Sequence, residues 1–205
     1  MKKTFQYLTV LTAFLFLSSF FTAPTGYQVG DKAMDFKLKN VDGKVVSLAD
    51  NHAAKGYIVI FTCNTCPVSQ AYEDRIIALH QKYAPQGYPV IAINPNDPTL
   101  SPGDAYAEMK KRSEEKKFNF PYLIDETQEV SRTYGAKSTP HVYILNKTGA
   151  DYIFSYIGAI DNNREDGNAA TNKYVDNAMT EILAGKEVTT NSTKAIGCGI
   201  KWRKV

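Results

Sequence analysis

The sequence predicts an α/β domain: a mixed central sheet covered by helices on both faces. Three observations carry that expectation. Short apolar runs at 58–62, 89–93, 120–124 and 141–145, bounded by Gly, Pro and Asn, read as strands. Segments of helical spacing alternate with them, which indicates crossover connections rather than a string of hairpins. The last two strands, His141 to Leu145 and Tyr152 to Ile160, flank an Asn146 to Gly149 turn and therefore run antiparallel, making the sheet mixed.

Taken in order, Val29 to Leu48 reads as a hairpin. Phe36 and Leu38 alternate with lysines, Asp42-Gly43 supplies the turn, and Val45, Val46 and Leu48 follow. Ile58 to Thr62 is the first central strand. Pro67 then suits the first turn of a helix, where its missing N–H costs nothing. Val68, Tyr72, Ile76, Leu79 and Tyr83 recur at helical spacing and place one apolar face on that helix, which ends before Pro85 and Gly87. Pro89 to Ile93 is a strand stopped by Asn94-Pro95-Asn96-Asp97-Pro98. Residues 101–117 form a charged helix with a thin buried face of Ala105, Tyr106 and Met109, and Lys110-Lys111-Arg112 with Glu114-Glu115 make a solvated face. Phe120 to Ile124 is a strand and Val130 to Tyr134 a short helix. After the final strand pair come a polar loop at 161–172 and a last helix, Lys173 to Leu183, stopped by Gly185. There is no internal repeat and no low-complexity block.

With 205 residues and 43% hydrophobic content, one core-bearing domain is expected. The first 25 residues are set apart from it. Lys2 and Lys3 precede an apolar stretch from Leu8 to Phe21, with small residues at Thr22 and Ala23: the layout of a secretory signal peptide, or of an anchor if it is retained. The domain then occupies 27–186, and 187–205 is a tail containing Cys198. Lys2 and Lys3 leave with the leader, taking the net charge from +3 to +1. That balance offers nothing to nucleic acid, and a membrane enters only through a retained leader. Outside the cytosol disulfides form and persist, which matters for the three cysteines.

Cys63-Asn64-Thr65-Cys66 is the most informative stretch. A C-x-x-C pair at a strand-to-helix junction is the layout of a dithiol redox centre, because the helix N-terminus offers free N–H groups and partial positive charge to a thiolate. A static disulfide is the plain alternative. Two cysteines three positions apart close a small ring, which removes little unfolded-state entropy, so stabilisation is a poor reason for this spacing. The second landmark is Ser138-Thr139-Pro140-His141, about 75 residues on, ahead of a strand. Cys198, flanked by Gly197 and Gly199, leaves three readings open: a packed free cysteine, an intermolecular pair, or a third redox thiol folding back onto Cys63.

The C-x-x-C pair, the Thr139-Pro140 step, Gly135-Ala136-Lys137 and Phe120-Pro121-Tyr122-Leu123-Ile124-Asp125 together resemble the redoxin branch of the thioredoxin-like superfamily. That branch includes alkyl hydroperoxide reductase/thiol-specific antioxidant (AhpC/TSA) proteins and secreted thiol–disulfide oxidoreductases. A smaller group within it is more similar still. It shares Tyr72-Glu73-Asp74-Arg75, Asn94-Pro95-Asn96-Asp97, Tyr156 to Asp161 and the Gly197-Cys198 … Ile200-Lys201-Trp202 ending. The resemblance implies a thioredoxin-like fold with an N-terminal β-hairpin extension and a central insertion, bacterial export to the periplasm or cell envelope, and no cofactor. It implies a Cys63–Cys66 couple, with Cys63 the exposed attacking thiol and Cys66 the resolving one, and a cis proline at Thr139-Pro140 as the platform for an extended substrate. Partners would be protein or small-molecule disulfides and thiols, together with a redox partner that recharges the dithiol.

Departures limit the resemblance. The buried acid that serves many relatives as proton acceptor is replaced by Tyr57, and the glutamate of cytochrome-maturation relatives falls at Ser69, leaving water, Glu73 or Asp74 for proton transfer. Aligning Cys66-Pro67 with the peroxidatic Cys-Pro of peroxiredoxins puts Cys63 where their Thr belongs and Val59 where their Pro belongs, which counts against the second expectation, an antioxidant thiol peroxidase. The third is a zinc or copper carrier using Cys63, Cys66, Cys198 and His141. Copper-delivery relatives, however, keep three residues between their cysteines, and this chain has two. No metal is expected. His52 and His80 are isolated.

Overall fold

The computed structural model describes residues 26–204, so the leader lies outside the described residues. In chain order the strands and helices are β1 (Leu38–Asn40), β2 (Val45–Val46), β3 (Gly56–Phe61), α1 (Pro67–Tyr83), β4 (Val90–Asn94), α2 (Tyr106–Lys116), β5 (Tyr122–Ile124), α3 (Glu129–Tyr134), β6 (Ser138–Thr139), β7 (His141–Thr148), β8 (Asp151–Gly158), α4 (Tyr174–Leu183) and β9 (Cys198–Gly199). Seven strands make one sheet in the order β2-β1-β5-β4-β3-β7-β8. β3, β4 and β5 are parallel; the β1–β2 hairpin and the β7–β8 hairpin close its two sides antiparallel. This is the expected thioredoxin-like arrangement, with α2 and its leading segment as the central insertion. No helix among the described residues is long and apolar enough to cross a membrane.

β3 shows why the sheet sits in the middle. All six of its residues are buried, and alternate side chains enter different cores. Ile58 and Ile60 pack with Tyr72, Ile76 and Leu79 of α1, Met109 of α2 and Val175 and Met179 of α4. Tyr57, Val59 and Phe61 pack with Phe36, Leu48, Val130 and Tyr134 of α3, and Ile200 of the tail. The second face is thus closed by one short helix and irregular chain, so helical cover is heavier on the first. The aromatics read as core residues are core: Tyr72, Tyr83, Tyr143, Phe154 and Tyr156 are all buried.

Three local expectations are corrected. The helix expected over 101–117 begins only at Tyr106, because Pro102–Asp104 forms a 3-10 turn and Ala105 is extended. The turn between the last two strands is shorter than Asn146 to Gly149: pairing continues to Thr148 opposite Asp151, and Gly149 takes the left-handed conformation at φ 63°. Arg112, read as part of a solvated face, instead makes a two-pronged ion pair with Glu73 of α1, at 2.7 and 2.9 Å.

The stretches shared with the smaller group meet in space. Tyr72 and Arg75 both donate to Asp161, and Asp97 takes the Arg203 guanidinium at 2.7 Å. Residues 197–203 are bound into the domain: Ile200 is buried, and Asp97 N–H donates to the Lys201 carbonyl at 3.0 Å.

Candidate active site

β3 delivers Cys63 at the edge of the core, and α1 starts at Pro67 with Cys66 as its extended N-cap residue. Between them the loop bends under an unusual anchor. Asp104, fully buried in the 3-10 turn, accepts from the Asn64 N–H at 2.7 Å, the Thr65 hydroxyl at 2.7 Å, the Ser101 hydroxyl at 2.6 Å and the Asn96 amide at 2.8 Å. The Asn64 amide donates to the Gly103 carbonyl, and Tyr122 donates to the Asn64 side-chain oxygen at 3.0 Å. The insertion therefore holds the C-x-x-C loop, with one carboxylate at the centre of the network. Burial pushes that carboxyl up, but its donors from Ser101, Thr65, Asn96 and Asn64 outweigh burial and keep it below its ordinary pKa, so it is an anion.

Facing the loop, Thr139-Pro140 is a cis peptide, as expected. Thr139 collects the cysteines. Its hydroxyl is 3.1 Å from the Cys63 sulfur, and its carbonyl oxygen is 3.3 Å from the Cys66 sulfur. In the short β6–β9 ladder its cross-strand partner is Cys198.

The disulfide joins Cys66 to Cys198, with Cα atoms 5.8 Å apart, and Cys63 keeps its thiol. This corrects the expected pairing. Cys198 folds back as one open reading held, but onto Cys66, because β9 lies along β6 and brings it to that sulfur. The expected exposure of Cys63 is corrected too: it is 3% exposed and Cys66 2%, covered where the tail strand and the 3-10 turn meet the loop. Burial, and after it the Asp104 charge, hold the Cys63 thiol above its usual pKa. The Thr139 hydroxyl, the Cys66 N–H and the Ser69 hydroxyl pull the other way. Ser69 is fully buried and its oxygen has no other hydrogen-bond partner, so it stands ready for a Cys63 thiolate.

Of the acids left open by the sequence, Glu73 is committed elsewhere, and Tyr57 stands in the place of the usual acid. Glu73 is engaged by Arg112, and the Tyr57 hydroxyl donates to the Leu48 carbonyl at 2.6 Å. Asp104, Ser69 and Ser101 went unread as site residues. The only signal was the density of Asn and Asp in 94–97, which read as a strand stop. Among the described residues no group of three or more His, Cys, Asp or Glu is arranged to hold a metal. A cavity of about 680 Å³ lies behind β6 against Tyr134, Lys137, His141 and Tyr143; none of the cysteines lines it.

His141 is a stability element. Its Nδ1 faces the Tyr143 hydroxyl at 3.1 Å and the Lys137 N–H at 3.4 Å, and burial with the Lys137 charge lowers its pKa from 6.5 to about 4. Below pH 6.5 the unfolded chain takes a proton that the folded chain refuses until about pH 4. Stability therefore falls with pH across that window, by on the order of 3 kcal/mol at most. Urea midpoints at the two ends should differ less in His141→Asn than in the parent, since carboxylate effects common to both cancel.

Residues 29–150 match the model of the AhpC/TSA family. The chain belongs to the AhpC/TSA family. It is 29% identical over 135 residues to the thiol-disulfide oxidoreductase ResA of Geobacillus thermodenitrificans, covering 64% of this chain and 71% of that one. An uncharacterized conserved protein from Geobacillus kaustophilus, known from its crystal structure, is 37% identical, with 87% of this chain and 94% of that one superposing at a TM-score of 0.80. The exposed lipoprotein thioredoxin of Streptococcus pneumoniae is similar in fold alone, at 20% identity and a TM-score of 0.54 over 74% of this chain and 99% of that one.

Proposed function

We propose that this AhpC/TSA protein is an exported thiol–disulfide oxidoreductase in which Cys63 attacks, Cys66 resolves, and the Thr139-Pro140 loop carries the substrate backbone. One observation bears most of the weight: at a helix N-terminus a free thiol, Cys63, and a disulfide sulfur, Cys66, both lie against Thr139, 3.1 Å from its hydroxyl and 3.3 Å from its carbonyl oxygen. That is the ground state of exchange chemistry. The resemblance to ResA supports the same reaction class. The leader pattern of Lys2, Lys3 and the following apolar stretch supports export to the bacterial periplasm or envelope, where a bond such as Cys66–Cys198 persists.

The direction is that of a reductant. Strong dithiol oxidants depend on a thiolate stabilised by a low pKa. Here, in the Cys66–Cys198 state, burial and Asp104 act against the Cys63 thiolate, which supports the reductant direction. A redox partner must then return the protein to its thiol state. With dithiothreitol as electron source, the parent should reduce insulin disulfides. Cys63→Ser should not, and Cys66→Ser should accumulate mixed disulfides; equal trapping by both variants overturns the roles. The potential of the site should lie nearer about −270 mV than about −120 mV.

A second reading is favoured by the Cys66–Cys198 bond itself. Peroxide could oxidise Cys66, the residue before Pro67, to a sulfenic acid that Cys198 condenses with, releasing water. Mixing reduced protein with hydrogen peroxide decides the matter: fast stoichiometric thiol loss supports the peroxidase, and its absence removes it.

A further inference from the structure

Three sulfurs converge on Thr139: Cys63 on its hydroxyl, Cys66 beside its carbonyl, and Cys198 opposite it in the β6–β9 ladder. The tail is built to be there. Gly197 leaves room for the Thr139 carbonyl, which a Cβ would strike. Lys201 is gripped from both sides, its N–H donating to Asn96 at 2.9 Å and its carbonyl accepting from Asp97 and from Gln128. The Arg203 N–H donates to Gln128, its guanidinium reaches Asp97, and Arg132 stacks over Trp202. A disulfide needed only to pin the tail has little use for a position at the very platform that both sulfurs of the C-x-x-C loop touch. Nor does pinning explain why Cys63 is kept as a thiol, with hydroxyl and N–H donors around it.

We propose that Cys198 is the third thiol of the exchange cycle, taking the disulfide from Cys63–Cys66 and closing β9 over the platform as it does so. The proposal rests on the thiol-exchange reading above. Cys63 thiolate attacks a substrate disulfide and expels the first substrate thiolate, leaving a mixed disulfide. Cys66 attacks the Cys63 sulfur, expels the second substrate thiolate and forms Cys63–Cys66. Cys198 thiolate then attacks the Cys66 sulfur; the Cys63–Cys66 bond breaks and Cys63 leaves as a thiolate that takes up a proton. The last step is an isomerisation with no net oxidation. Over the cycle one substrate disulfide gains two electrons and the Cys66 and Cys198 thiols lose them. The product is the state described here: β9 occupies the edge of Thr139 that an extended substrate would use, and Cys63 is covered. Reduction of Cys66–Cys198 by the recharging partner frees that edge for the next substrate.

The test follows the bond in time. Fully reduced protein is mixed with one equivalent of oxidised glutathione, quenched in acid at intervals, alkylated and mapped by peptide mass. The parent should pass through a Cys63-linked species and end with at least ten times more Cys66–Cys198 than Cys63–Cys66, Cys63 being alkylated. Cys198→Ser should consume the glutathione disulfide and stop at Cys63–Cys66. A parent that ends at Cys63–Cys66 with Cys198 alkylated overturns the third thiol while leaving exchange at the C-x-x-C pair intact. So does direct formation of Cys66–Cys198 with no Cys63-linked species at any time. If neither protein consumes glutathione disulfide, the thiol-exchange reading falls, and the third thiol with it.

Discussion

Asp104→Leu is expected to cost on the order of 5 kcal/mol of folding stability, because each buried donor stripped of its acceptor costs ~1–3 kcal/mol. The Asn64 N–H, the Ser101 hydroxyl and the Asn96 amide all lose their acceptor in the protein interior, while Thr65 is exposed enough for water to replace its bond. Urea unfolding of the oxidised proteins reads the loss directly. Asp104→Asn separates structure from chemistry. It preserves the volume and removes the charge, so it should cost less, about 2–3 kcal/mol. It should also lower the pH at which Cys63 ionises, since the anion that opposes the thiolate is gone. In the oxidised protein Cys63 is the free thiol among the described residues, so thiolate absorbance against pH reports on it alone. A midpoint unmoved or shifted upward in Asp104→Asn would show that the carboxylate merely braces the loop.

That carboxylate also shows where a sequence stops being legible. The strands were readable because burial on both faces writes itself as continuous apolar runs, and α1 because its face repeats every three or four residues. The cis Thr139-Pro140 step and the C-x-x-C pair were readable because each is contiguous. Asp104 is different. Its partners stand at 64, 65, 96 and 101, brought together by a turn that, within the sequence, looks like the start of a helix. Local pattern has no term for a polar side chain whose solvation is supplied in part by a loop some 40 residues away. Arg112 misled for the same reason: beside lysines and glutamates it reads as solvated, and only the α1–α2 packing puts Glu73 within its reach. The pairing of Cys198 fell between these cases. Its glycine flanks announced a close backbone approach, yet the identity of its partner depended on where β9 docks, and a two-residue strand carries no periodicity to say so.

The docking of that strand is the next thing to break. Gly197→Val should expel β9, because any Cβ there meets the Thr139 carbonyl and the Pro140 nitrogen, which belong to backbone and cannot yield as a side-chain tip would. With Cys198 removed from the Cys66 sulfur, the oxidised variant should carry Cys63–Cys66 instead. It should also lose the cross-link between positions 132 apart. Closing a loop of that size stabilises by roughly 4–5 kcal/mol in the chain-entropy account, while a Cys63–Cys66 ring returns little of it. Peptide mapping and urea midpoints, both under oxidising conditions, read the two consequences separately. Gly199→Ala is the matched control: it lies two residues on, within β9, nothing stands within 4 Å of its added Cβ, and it should keep both the Cys66–Cys198 bond and the parent midpoint. Were Gly197→Val to retain that bond, the tail would reach Cys66 by a route that does not depend on the β6 edge. The platform would then be open to substrate even in the oxidised protein.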